Sequence, residues 1–240
     1  MSNNFGEQMR SHLAQVESSN AETLDRTAEM MLNVIRNEGL IYVGGTGHSC
    51  ALMLESFYRA GGLACVQPLY HPALLPLHGG EDSTLAEKTS GFARILVDRF
   101  GPSTNDLAFV FSNSGVNAVP VELADELKRG GTPVIAVVSL THLRAAPSRG
   151  DHKIDAVADV IIDTLVPYGD AAYPTADGST TAGLSSLSCV FVWNLLLTRL
   201  ADLAANAGVQ LPIFTSSNVA GGADRNAELF KQYRPRVRSL

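Results

Sequence analysis

Four stretches of this sequence are rich in hydroxyls, amides and glycine: Gly44-Gly45-Thr46-Gly47-His48-Ser49, Ser112-Asn113-Ser114-Gly115-Val116-Asn117, Ser139-Leu140-Thr141-His142 and Gly178-Ser179-Thr180-Thr181. The first three each end a short apolar run, and the fourth precedes a long one. Glycine lets backbone approach an anion, and a helix that follows adds free N–H groups and the positive end of its dipole. The first stretch is a poor dinucleotide fingerprint. Cys50 stands where the third glycine belongs, and Val66-Gln67-Pro68 offers no acid for a ribose. Gly47-His48-Ser49-Cys50-Ala51 approaches a hydrolase elbow, with His142 or His152 downstream, but closes on alanine instead of glycine. In the second stretch Ser112, Asn113, Ser114 and Asn117 exceed what one helix cap needs. A surplus of donors beside a glycine suits a phosphate held by hydrogen bonds. The stretch has no lysine, so it is not a Walker-type loop. Four hydroxyl-rich loops free of Lys and Arg point to a polyhydroxylated anionic ligand, with Gly45, Gly47, Ser49, Ser112, Asn113, Ser114, Asn117, Ser139 and Thr141 as candidate contacts.

The elements that must position these loops follow from periodicity. Phe5, Met9, Leu13 and Val16 line one helical face; Leu24, Ala28, Met31, Leu32 and Ile35 line a second, with Ser18-Ser19-Asn20 as the break between them. From Leu40 the pattern changes to short, wholly apolar runs: 40–43, 63–66, 107–111, 133–138 and 160–162. Helical stretches at 51–58, 119–129 and 185–205 separate or follow them, and 144–153 reads as an exposed connection. Such alternation predicts an α/β fold, a parallel sheet covered by helices on both faces, with two helices in front. Ligands of such a sheet bind beyond the carboxyl ends of the strands, where the first three loops lie. The 240 residues, 45% of them hydrophobic, predict one domain over 1–240: leading helices 1–38, core 39–205, and an extension 206–240 whose basic end is expected to be solvated or subunit-contacting. The net charge of −6 argues against nucleic acid or an anionic membrane as partner. No apolar run approaching the roughly 18–20 residues of a membrane span is expected. The polar Met1–Gln8 segment and three scattered cysteines fit a cytoplasmic protein.

The strand-to-helix placement of Ser112-Asn113-Ser114-Gly115-Val116-Asn117 resembles the signature of the sugar isomerase (SIS) family of phosphosugar-binding domains. Gly45–Ser49 is similar to that family's first glycine-serine loop, and Leu184–Leu203 to its last core helix; the resemblance covers about residues 20–205. It is nearest to phosphoheptose-isomerase-like members with two leading helices. The resemblance implies a flavodoxin-like five-stranded parallel sheet and a homodimer or homotetramer. It also implies a phosphate held by Ser112, Ser114 and Asn117, with Ser49 on sugar or phosphate. Asn117 departs from the family's commoner threonine.

Aldose–ketose isomerisation through an ene-diolate needs a base near neutrality and a partner for the oxygens. The resemblance implies a glutamate beyond the second strand: Glu87 first, Glu81 second, against the plain reading that acids open a helix there. His142, after the fourth strand, is placed to move protons. Pro72 and Pro76 interrupt His71 and His78, so no metal, and no other cofactor, is expected. Glu55 reads as structural, though it could reach across a subunit interface. The expected function is a sugar-phosphate isomerase. The alternatives are an amino-sugar-phosphate lyase or etherase and a non-catalytic sugar-phosphate sensor. A DNA-binding sensor is disfavoured, because the acidic 1–38 region is a poor DNA reader.

Overall fold

A computed structural model of the chain describes residues 4–240; Met1 to Asn3, the start of the polar leading segment, lie outside it. The two apolar periodicities form α1 (Phe5–Ser19) and α2 (Ala21–Arg36). Asn20 between them is buried and ties the break to the far edge of the sheet, donating to Asp163 O at 2.8 Å and accepting from Asp163 N at 3.0 Å. There follow β1 (Ile41–Gly45), α3 (Cys50–Ser56), β2 (Val66–Pro68), α4 (Gly80–Ala86), α5 (Phe92–Phe100), β3 (Leu107–Phe111), α6 (Ala118–Arg129), β4 (Val134–Val138), α7 (Leu140–Ala145) and β5 (Val160–Asp163). A hairpin of β6 (Ala171–Pro174) and β7 (Thr180–Gly183) leads into α8 (Ser185–Asn206), and α9 (Gly222–Tyr233) precedes the tail.

The five main strands pair in parallel in the order β2-β1-β3-β4-β5, the doubly wound, flavodoxin-like arrangement. Alternation along a strand sends neighbouring side chains to opposite faces, and both faces here are covered. Phe109 and Phe111 meet Trp193 of α8 edge-on, at ring separations of 5.4 and 6.5 Å. Gly44, which pairs with Val110, lies under Leu123 of α6, where a β-carbon would come within 2.5 Å of Leu123 Cδ2. Helices α1, α2 and α8 therefore cover one face, and α6 with α5 covers the other.

Four expectations change. The second apolar run contributes to the sheet only at Val66–Pro68; upstream of it Leu63 bridges Ile213 and Ala64 N donates to Pro212 O, so that stretch pairs with the tail instead of β1. The extension is not a free end: Gln67 of edge strand β2 donates to Ser239 Oγ at 2.9 Å and accepts from Arg238 N at 2.7 Å, and Val237 is fully buried. Gly178–Thr181 forms the exposed turn and first residues of the β6–β7 hairpin, where Thr175, Asp177 and Ser179 bond one another. Finally, α8 is long and apolar enough to cross a membrane, with a mean hydropathy of 1.5, contrary to the expectation that no segment would be. Its Val192, Trp193, Leu196 and Leu200 are buried in the core. That burial accounts for its composition without a bilayer.

Candidate functional site

The strand order reverses between β1 and β3, so the loops after these two strands diverge and leave a crevice at their carboxyl ends. After β1, Gly47 adopts φ +57° and opens a 3-10 turn, Gly47–Ser49, that runs into α3. Gly45 works by absence of a side chain, since a β-carbon there would lie 2.9 Å from Ser49 O. After β3, the chain folds on itself: Ser112 Oγ accepts from Gly115 N at 3.1 Å. Gly115 has φ +64°, and a β-carbon there would strike Ile154 Cγ2 at 2.7 Å and Leu143 Cδ1 at 2.8 Å. The motif's glycine thus permits both the left-handed turn and the packing of the next two segments on top of it.

Asn117 occupies the N-cap position of α6 but makes no capping bond. Its Nδ2 donates to Glu87 Oε1 at 2.6 Å, and its Oδ1 accepts from Arg149 Nη1 at 2.6 Å. Glu87 is the C-cap residue of α4; its Oε2 accepts from Thr46 Oγ1 at 2.9 Å. One carboxylate therefore joins the loop after β1 to the loop after β3. His142 sits on α7, with Nδ1 3.4 Å from Asn113 Nδ2 and its ring 4.8 Å from that of Tyr168. The amide as donor leaves the imidazole proton on Nε2. Burial lowers the His142 pKa from 6.5, and the charge of Asp170 opposes the shift without cancelling it. The neutral ring therefore dominates at pH 7.

These groups line one open cavity of about 560 Å³. It brings together Gly47, Ser49, Ser112, Asn113, Ser114, Asn117, Glu87 and His142. Four candidates lie outside its lining. Gly45 sits beneath it, and Glu81 is exposed in the first turn of α4. Ser139 is buried, capping α7 by accepting from His142 N at 3.1 Å and donating to Val166 O. Thr141 is exposed on α7.

Residues that were not among the candidate contacts also line the cavity: Thr46 and His48 of the first loop, and Lys88, Arg149, Tyr168 and Asp170 from outside the four loops. The hydroxyl-rich loops themselves carry no Lys or Arg, yet Lys88 and Arg149 bring two cations from neighbouring segments, and neither is ion-paired among the described residues. Adjacency to Glu87 is the one sequence signal for Lys88. Arg149, within the connection read as exposed, has none. Asp170 is spent on structure: it accepts from Leu184 N, Ser185 N and Ser185 Oγ at 2.8–3.0 Å and so caps α8.

The serine elbow lacks its base, since Ser49 makes no hydrogen bond to a histidine among the described residues; His142 meets Asn113, and His152 meets Asp125. Burial, followed by the Glu87 charge, pushes the adjacent Cys50 thiol up to about 12, which leaves it inert as a nucleophile. Among the described residues no group of three His, Cys, Asp or Glu side chains could hold a metal ion. His71 caps a short turn, accepting from Ala73 N at 3.2 Å. The arrangement offers hydroxyl and amide donors and a helix N-terminus, together with a carboxylate held by Thr46 and Asn117 and a neutral imidazole beside Asn113.

Comparison with known proteins bears on this geometry. A family model described as the SIS domain matches residues 4–139. A UPF0309 protein of Brucella anthropi is 34% identical over 90% of this chain and 89% of its own length. Another, of Geobacillus thermodenitrificans, is 31% identical over 99% of this chain and 96% of its own. Among solved structures, phosphoheptose isomerase GmhA from Neisseria gonorrhoeae superposes with a TM-score of 0.57 at 18% identity, covering 82% of this chain and 95% of that one. A phosphoheptose isomerase from Francisella tularensis gives 0.53 at 15% identity, covering 83% and 96%. At these identities the two structures share the fold.

Proposed function

The chain belongs to the SIS domain family, and from that premise we propose that it binds a phosphorylated sugar in the cavity between the β1 and β3 loops and interconverts its aldose and ketose forms. The phosphate lies over the N-terminus of α6, taking donors from Ser112, Asn113 and Ser114 and from Ser49 across the crevice. Glu87 is the base. It removes the proton from the carbon beside the carbonyl and returns it to the neighbouring carbon. His142 carries the hydroxyl proton between the two oxygens, so that the ene-diolate is neutralised as it forms. The observation that carries this reading is the placement of Glu87: a carboxylate hydrogen-bonded by Thr46 and Asn117 stands at the edge of the hydroxyl-rich loop. The two donors fix the direction of the carboxylate. That the two solved structures are phosphoheptose isomerases supports isomerisation over elimination. We take residues 1–240 as one domain that assembles as a homodimer or homotetramer. Leu77 and Leu85 beside the cavity mouth, 88% and 66% exposed, are apolar surface that a second copy would cover.

Proton NMR in D₂O with aldose, ketose and amino-sugar phosphates tests the proposal. Loss of a C1 or C2 proton signal with appearance of the isomer is expected. Glu87→Gln should bind the same sugar and lower turnover by about 10²-fold or more, whereas Glu81→Gln should leave it unchanged. Release of acid or ammonia would replace isomerase by lyase. Broadening of sugar signals without conversion would leave a sensor, and no binding at all would overturn the whole reading.

A further inference from the structure

Glu87 is joined to a residue far along the chain by a continuous line of hydrogen bonds: Arg149 to Asn117, Asn117 to Glu87, and Glu87 to Thr46. A guanidinium only donates and a carboxylate only accepts. An amide between the two has a single workable orientation, with oxygen toward Arg149 and nitrogen toward Glu87. The flipped amide would set donor against donor and acceptor against acceptor.

Arg149 itself is held in place. It lies in the connection after α7, and that connection is pinned on both sides. His152 Nε2 meets Asp125 Oδ2 of α6 at 2.9 Å, and Lys153 Nζ donates to Leu143 O and Ala146 O at 2.6 and 2.7 Å. Ser148 Oγ bridges within it to Gly150 O at 2.8 Å, and Ile154 N donates to Gly115 O at 3.0 Å. A segment read as a solvated connection thus crosses the phosphate loop and delivers one cation to it.

We propose that Arg149 is a positioning residue for Glu87: it locks the Asn117 amide so that the amide nitrogen holds the carboxylate in line with the reacting carbon. This rests on the reading of Glu87 as the base. It also gives a physical reason for asparagine where the family pattern has threonine. A threonine hydroxyl is a single atom on a shorter side chain, whereas the amide presents acceptor and donor on two separate atoms that span the gap between Arg149 and Glu87.

The test uses the full chain labelled with ¹⁵N-asparagine; the Asn117 side-chain signals are those lost in Asn117→Asp. In Arg149→Ala both N–H signals should move and exchange with water faster, and Arg149→Lys should fall between Arg149→Ala and wild type. Backbone amide signals away from the connection should not change, which separates this from misfolding. Asn117 signals identical in Arg149→Ala and wild type would overturn the proposal. On whichever sugar phosphate is turned over, Arg149→Ala should lower kcat by about 10- to 100-fold and leave KM within about twofold, as expected for a displaced base with intact binding. A large rise in KM at unchanged kcat would make Arg149 a ligand contact and overturn the positioning role. If no sugar phosphate is turned over, the isomerase reading fails on its own, and the Asn117 signals still decide whether Arg149 orients the amide.

Discussion

In the proposed isomerisation His142 and Glu87 take different parts because their surroundings differ. Glu87 is oriented by two hydrogen bonds, from Thr46 and Asn117, while burial lowers the pKa of His142 and keeps its ring neutral. A pH dependence follows, with its sign. Because burial lowers the His142 pKa from 6.5, the neutral ring persists into mildly acid solution. The acid limb of kcat/KM assigned to His142 should therefore lie below pH 6.5, with kcat/KM falling as pH drops through the shifted value, and His142→Gln should abolish that limb along with most of the activity. A limb centred above 6.5 would remove His142 from the proton transfer. The same residue shows what a sequence can carry about a site. The histidine was visible because it follows a strand whose end must face the ligand. Its tautomer and depressed pKa depend on Asn113 and on surrounding atoms that no spacing encodes.

At the scale of elements, β1, β3, β4, β5, α6 and α8 were legible because fully apolar runs and helical periodicity leave few alternatives. So was the β3–α6 loop, whose glycine has one conformational job. Gly115→Ala should therefore cost about 1–3 kcal/mol: it sets an L-residue at φ +64° with a β-carbon 2.7 Å from Ile154 Cγ2. Urea denaturation should show the loss, and sugar-phosphate binding should weaken with it, because Ser112 and Asn117 flank the displaced turn. Unchanged stability would mean that Ile154 and Leu143 yield freely. The β6–β7 hairpin was not legible. Its strands are partly exposed and lack apolar alternation, and they lie between Asp170, whose carboxylate caps α8, and α1, whose Phe5 meets Tyr173 edge-on. Arg149 was hidden for a related reason. Its partner is 32 positions away, and nothing local distinguishes it from the other charges of an exposed connection.

For the whole molecule, helix α8 is the element that the rest of the chain organises around: α1, α2 and α3 pack on it, and the aromatic pair of β3 rests against Trp193. Arg199 of α8 pairs with Glu17 of α1 and Asp25 of α2, and one histidine contact also lies within this assembly. His12 of α1 places Nε2 2.8 Å from Ser188 Oγ of α8, and Ser188 Oγ donates its own hydrogen bond to Leu184 O at 2.9 Å. The hydroxyl therefore accepts from the ring. Burial lowers the His12 pKa from 6.5, and no carboxylate compensates. Between the lowered folded value and 6.5 the unfolded chain binds more protons than the folded one, so stability must fall as pH drops through this window and level off below it. His142 adds a loss of the same sign. The shifted carboxyls act elsewhere. Hydroxyls of Thr175 and Ser179 pull exposed Asp177 to about 2, and at Asp159 the Lys128 and Val134 hydrogen bonds outweigh the upward push of burial. Both therefore titrate below 3.8, clear of the histidine window. Urea midpoints between pH 7.5 and pH 5 should accordingly decline in the wild-type chain and decline less in His12→Gln, whose amide can still donate to Ser188 without taking up a proton. Equal declines in the two chains would place the acid sensitivity outside the α1–α8 contact and leave His142 as its source.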